Sequence, residues 1–201
     1  MKKDRIVMIE EDEKDEITDS TSVQDKLIIK KEIKKNEYII SIDTDIEEPE
    51  KYRAVFEIFD TAKVDDTIIL NINSYGGYVH TMVQFFWHML NCKAHIKGIV
   101  HTAYSAGAFI TLCCDEIIPS LFAGMMLHSM SFGTWGKVED VKSQSEFNSK
   151  QDKKIADIVF KGFLTKQEID KLNAGTEYWF DKEEIDRRLK NWKPIKARNI
   201  I

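Results

Sequence analysis

Two short apolar runs, Thr67–Ile72 (TIILNI) and Ile96–Val100 (IKGIV), bracket a segment whose apolar residues recur at helical spacing. Val79, Met82, Val83, Phe86, Met89 and Leu90 mark the inner face of that helix, and Gly76-Gly77 breaks the chain just before it. A strand, a crossover helix and a second strand so close together form a parallel pair joined by a right-handed connection. The pattern continues on both sides. Glu37–Asp43 (EYIISID) reads as a strand, Glu50–Ala62 sets Tyr52, Val55, Phe56 and Phe59 at helical spacing, and Ala108–Cys114 reads as a buried helix. The nearly continuous apolar character of Thr67–Ile72 predicts a strand buried on both faces. The expected fold class is α/β, built from repeated β/α units.

Outside these units the chain changes character. Gly136–Lys161 is highly charged, with Val138, Val141, Phe147, Ile155, Ile158 and Val159 as a narrow apolar stripe. A long helix of this kind protrudes from a globule and packs on another chain. Thr165 with Glu168, and Asp181 with Glu184, have the spacing of capping boxes at two helix starts. Residues 1–26 read as an acidic flexible tail, residues 27–190 as the folded domain, and residues 191–201 as a basic tail containing Trp192 and Pro194.

Composition excludes several partners. A net charge of −5 argues against nucleic acid as the main ligand. No apolar run approaches the roughly 18 residues of a spanning helix, and Glu10, Glu11, Asp12 and Glu13 are foreign to a signal peptide, so a cytoplasmic protein without a membrane partner is expected. Cys92, Cys113 and Cys114 form no C-x-x-C pair and read as small buried hydrophobes in a reducing compartment.

Three segments have the residue types of acyl-transfer chemistry. Ala103-Tyr104-Ser105-Ala106-Gly107-Ala108-Phe109 sets a serine among small residues directly after a strand and before a helix. A hydroxyl on such a turn is exposed to substrate, and the free N–H groups of the helix start can hold a developing oxyanion. Asn73-Ser74-Tyr75-Gly76-Gly77 lies at a second strand-to-helix junction, and its backbone can turn an N–H into the same site, so Gly77 and Ala106 are the candidate donors. It lacks the Lys and Ser/Thr of a phosphate-binding loop. His128, in Gly124–Ser129 (GMMLHS), is a candidate base, since a serine nucleophile needs one to take its proton. His80, His88, His95 and His101 have no metal-ligand spacing with Cys or carboxylates, so no metal is expected. Asp140, Glu177 and Asp181 are candidate acids to hold the base; Glu177 stands out because it precedes Tyr178-Trp179-Phe180 and a capped helix.

Together these pieces resemble the Clp protease proteolytic subunit family, within the wider crotonase-like fold. The matching stretches are Ile72–Gly77 (INSYGG), Ala103–Phe109 (AYSAGAF), Met126–Ser129 (MLHS) and Glu177–Ile185 (EYWFDKEEI), in the family's order and at close to its intervals, over roughly Tyr38 to Leu189. The resemblance implies Ser105 as nucleophile, His128 as general base, Glu177 as triad acid with Asp181 as second choice, and Gly77 and Ala106 as the oxyanion hole. Gly133 and Gly136 fall where the family has a glycine-containing strand that pairs with substrate, and the Gly136–Lys161 stripe falls at its handle helix. It further implies heptameric rings, stacked in pairs around a chamber into which unfolded polypeptide is delivered. No cofactor is implied; ATP is used only by a partner unfoldase.

The chain departs from the pattern at several places. Glu177 stands where aspartate is usual, Tyr75 and Met130 where proline is usual, and Ala106 where methionine is usual. The N-terminal region does not resemble the family's axial loops, and divergent virus-encoded relatives act as head-maturation proteases without an unfoldase. Three other readings stay open: a ring subunit without activity, an acyl-CoA enzyme of the crotonase type, and a Ser-Lys protease. The second leaves the Ser-His pair unexplained, and the third would need a lysine beside Ser105, where Lys97 lies on the wrong side of the strand end.

Overall fold

The computed structural model describes residues 7–8 and 35–198. One six-stranded sheet runs in simple sequence order: β1 (Val7–Met8), β2 (Glu37–Ile42), β3 (Thr67–Ser74), β4 (His95–Tyr104), β5 (Glu116–Leu127) and β6 (Tyr178–Asp181). β2 to β5 are parallel, while β1 and β6 pair antiparallel with the two outer members of that set. The crossovers carry α1 (Arg53–Thr61), α2 (Val79–Asn91) and α3 (Ala106–Leu112). Each steps one strand in the same direction, so right-handed connections stack all three helices on one face of the sheet. α1 packs on α2 and α2 on α3.

That one-sidedness corrects the expectation for Thr67–Ile72. Ile68, Leu70 and Ile72 are fully buried beneath the helices, but Ile69 and Asn71, on the opposite face, are half-exposed. A parallel strand is buried on both faces only where helices cover both, and within this chain they cover one. The core is the helix-side layer: Phe59, Phe85, Met89, Ile96, Ile110 and Met125 are all inaccessible to solvent. Each such side chain stabilises the fold by about 1.5–3 kcal/mol relative to exposure. Cys92, Cys113 and Cys114 are buried with unpaired thiols, and burial pushes all three thiols up, away from the reactive thiolate.

Three helices follow the parallel units. α4 (Val138–Val159) is followed by α5 (Lys166–Asn173) and, after β6, by α6 (Lys182–Leu189). Only the last turn of α4 is buried, at Ala156 and Val159; its first half is open, with Val138 and Phe147 exposed. The capping box of α5 is complete, with Thr165 Oγ1 accepting from the Glu168 N–H and the Glu168 carboxylate accepting from the Thr165 N–H. The one expected for α6 is half made. Asp181 accepts from the Glu184 N–H at 2.9 Å, but the Glu184 carboxylate turns instead to Arg187 and Arg188. Guanidinium groups outcompete a backbone N–H for a carboxylate.

Arg188 ties these helices together. It bonds Glu168 and Glu184, donates to the Phe163 carbonyl and lies over the Phe180 ring. The Arg188 hydrogen bond holds the Glu168 carboxyl at about 2, and Arg187 with Arg188 holds Glu184 at about 2. Carboxyls depressed in the folded state add stability above their ordinary range near pH 4.5 and lose it as pH falls toward 2. Thermal midpoints are expected to be flat from pH 7 to 5 and to drop below 4.5. Arg188→Ala should remove the Glu168 share of that drop, leave the share that Arg187 gives Glu184, and cost about 2–3 kcal/mol, below the range for a fully buried pair because both carboxylates keep some water. Calorimetry across pH on both proteins checks this.

The C-terminal segment also departs from expectation. Residues 191–198 are not a trailing tail but part of the packed body. Ile195 is buried, Lys196 bridges Asp115 at 2.8 Å, and Arg198 donates to the carbonyls of Ile158 and Val159 at the end of α4. These cations have a reason to dock, since helix ends leave carbonyls without partners and favour positive charge. The acidic tail assigned to residues 1–26, and the boundary at 27, lie outside the described residues except for Val7–Met8. Among the described residues no helix is long and apolar enough to cross a membrane.

Candidate active site

Three adjacent parallel strands end side by side, and each end delivers one candidate segment. β3 leads into Gly76-Gly77, β4 into Ser105-Ala106, and β5 into His128. In open parallel sheets the carboxyl ends of the strands are where ligands bind, because loops rather than helices meet there.

Ser105 occupies the turn between β4 and α3 with φ 53° and ψ −118°, and among the described residues it alone of the non-glycines has positive φ. The conformation is held from both sides, its N–H donating to the Met126 carbonyl at 2.9 Å and its carbonyl accepting from Phe109 at 3.0 Å. Strain of this kind persists only where the surroundings over-determine it. Ser105 Oγ lies 2.7 Å from Nε2 of His128. For Nε2 to accept that proton, Nδ1 must carry the ring hydrogen.

Gly76 and Gly77 approach the serine as a short turn clamped by the loop after β2. The Ile46 N–H donates to the Gly76 carbonyl at 2.6 Å, and the Tyr78 N–H to the Ile46 carbonyl at 2.8 Å. Across a trans peptide the carbonyl of one residue and the N–H of the next point to opposite sides. With Gly76 and Tyr78 turned to Ile46, the Gly77 N–H faces away, into the site. Side chains are excluded here: a Cβ on Gly76 would stand 2.7 Å from the Ser105 Cβ, and one on Gly77 2.1 Å from the Ile46 carbonyl oxygen. The Ala106 N–H, in the first turn of α3, has no intrahelical acceptor. Gly77, Ala106, Ser105 and His128 line one small cavity of about 100 Å³.

Glu177 immediately precedes β6. The antiparallel register ends at the pair Leu127–Tyr178, and His128 and Glu177 are the next residues beyond it on the two segments. Its carboxylate is exposed and has no hydrogen-bond or ion-pair partner among the described residues. Asp181, at the far end of β6, is engaged in capping α6. Asp140 lies in the exposed first turn of α4. Gly133 and Gly136 belong to residues 128–137, which form no strand within the chain, and neither lines the cavity. The remaining histidines are occupied or remote: His80 meets Glu48, His88 meets Asp60, and His95 meets Glu116. Lys97 pairs with Glu116 near the start of β4, far from Ser105 at its end.

The carboxylate of the cavity escaped the sequence reading. Asp152, on α4, lines it beside Ser105 and His128, and accepts from the Met130 N–H at 3.1 Å. Proline, usual at position 130 by the resemblance noted above, has no N–H to give. Burial pushes the Asp152 carboxyl up, with His128 opposing. Its signal was there: a charge three residues before Ile155, inside the gap of the α4 stripe between Phe147 and Ile155.

A family model described as Clp protease matches residues 22–186 of the chain. No curated protein matches it.

Proposed function

Because the chain belongs to the Clp protease family, whose mixed α/β, crotonase-like fold it shares, we propose that it is a serine endopeptidase cleaving extended polypeptides inside an oligomeric ring chamber. The 2.7 Å contact between Ser105 Oγ and His128 Nε2, on a strained turn that exposes the hydroxyl, carries the reading. Ser105 Oγ attacks the scissile carbonyl as its proton passes to His128 Nε2. The N–H groups of Gly77 and Ala106 hold the resulting oxyanion, each worth about 3–4 kcal/mol of barrier in such sites. His128 then protonates the leaving amine, the C–N bond breaks, and water attacks the acyl-enzyme by the same route in reverse. No cofactor enters these steps.

Glu177 is the proposed acid: it follows the last β5–β6 pair, Leu127–Tyr178, on the side of His128. Glu177→Gln is expected to lower kcat by about 10²-fold or more. Asp181→Asn should have little effect, since Asn caps a helix as well as Asp. Steady-state kinetics on both variants test this; equal activity of the two would sink the assignment.

Residues 128–137 make no ladder of their own, and Gly133 has open space around it. An extended substrate can pair there by its backbone, with Gly133 and Gly136 in contact. The exposed Val138 and Phe147 of α4, with Trp135 before it, favour packing on a second copy, in heptameric rings or their stacked pairs. An ATP-driven unfoldase is the proposed partner, and the buried free thiols fit a cytoplasmic location. The unpartnered Glu177 favours one rival, an assembly subunit without chemistry. A fluorophosphonate probe separates the two: labelling of native protein that His128→Ala abolishes supports the peptidase, and an unlabelled ring of native mass supports the rival.

A further inference from the structure

Asp152 lines the cavity of Ser105 and His128 but takes no part in the steps proposed above. Oδ1 accepts from Met130, but Oδ2 has no donor among the described residues, and no lysine or arginine pairs with the carboxylate. This half-buried carboxylate is thus open to a further partner, and a cation is the one it favours most. Within the cavity only His128 can carry positive charge, and its Nε2 is engaged with Ser105.

The oxyanion donors fix where a substrate side chain must go. Gly77, Ala106 and Ser105 line the same cavity as Asp152, so a carbonyl held between these donors and Ser105 Oγ has its own side chain beside that cavity. Val79, Phe109 and Ile155 form apolar walls there, and Asp152 supplies a polar end. We propose that Asp152 sets the specificity of the enzyme, pairing with a lysine or arginine that supplies the scissile carbonyl. This rests on the peptidase reading. The long methylene stem of such a residue lies along the apolar walls while its charge reaches the carboxylate. An acidic residue is rejected by like charge, which contributes as much to specificity as the attraction.

A competing seat adjoins the cavity. A groove of about 790 Å³ between α2 and α4 shares Val79, Phe109, Met130 and Ile155 with it. Val83, Phe86, Phe147 and Ile158 make that groove apolar, and Lys154 stands at it, so it suits a large apolar side chain and repels a cation.

The test uses the full chain in its native assembly and fluorogenic peptides that differ only in the residue before the scissile bond: Lys, Arg, Leu, Phe or Glu. We expect kcat/KM at least 10-fold higher for Lys and Arg than for Leu, with Glu lowest. In Asp152→Asn the Lys/Leu ratio should fall at least 10-fold, and Asp152→Glu should retain the basic preference. A ratio between two substrates at one serine does not move with the fraction of folded enzyme. Native protein that cuts after Leu or Phe as well as after Lys overturns the proposal, as does an unchanged ratio in Asp152→Asn. In both cases fluorophosphonate labelling of Ser105 leaves the peptidase reading intact. Absence of labelling together with absence of cleavage brings both down.

Discussion

Ser105→Ala is expected to lower kcat/KM for peptide hydrolysis by about 10⁴–10⁶-fold while leaving the fold in place. The oxygen it removes is the one 2.7 Å from His128; Ser131, the other serine at the cavity, has no hydrogen bond to His128, and the three cysteines are buried elsewhere. The residual rate reflects binding and the oxyanion donors alone. Backbone geometry supplies an internal control. At φ 53° a β-carbon is strained by about 1–3 kcal/mol, in alanine as in serine. Ser105→Gly, equally inactive, should therefore be more stable than Ser105→Ala by about 1 kcal/mol, since glycine adopts this conformation freely. Thermal denaturation of the two variants beside their kinetics reads out both effects. An active Ser105→Ala enzyme would remove the serine from the chemistry.

Gly77→Ala is expected to be the most damaging single methyl in the molecule. The added carbon would stand 2.1 Å from the Ile46 carbonyl oxygen and 2.7 Å from its nitrogen, at φ 141°. No rotamer relieves a clash with backbone. Ile46 is itself buried, so it can retreat only by breaking its bonds to Gly76 and Tyr78. Both the strained backbone and the lost bonds belong to the short list of mechanisms behind large effects, and a loss above about 4 kcal/mol is expected. In whatever fraction folds, the displaced Gly77 N–H should cost a further 10²–10³-fold or so in kcat. Urea denaturation gives the first number, and hydrolysis rate per phosphonate-titrated site gives the second. Native stability in this variant would mean that the Ile46 clamp does not exist.

The β/α order was legible because it rests on local periodicity. Val79, Met82 and Phe86 repeat at helical spacing whatever surrounds them, and α2 forms over Val79–Asn91. The burial of Ile69 was not legible, since an apolar run cannot reveal how many faces the helices will cover. The fate of residues 191–198 was hidden for a related reason: Lys196 finds Asp115, 81 positions away, and charge alone does not reveal which carboxylate it will meet. Ser105, Gly77 and Ala106 were readable as turn chemistry at strand ends. Asp152 was legible only as a charge in the gap of the α4 stripe, and its place in the cavity was not, because the cavity is built from segments far apart in the chain.

From residue order alone came the repeated units, the strand ends that bear Ser105 and His128, and the glycines at 76 and 77. These are decided by steric freedom and by repeats a few residues long, which act within one segment. The 2.7 Å approach of hydroxyl to imidazole, the outward turn of the Gly77 amide and the entry of Asp152 were decided only when the strands registered and α4 docked. Such distances depend on pairing and packing between segments far apart in the chain, where one step of register moves a side chain to the opposite face.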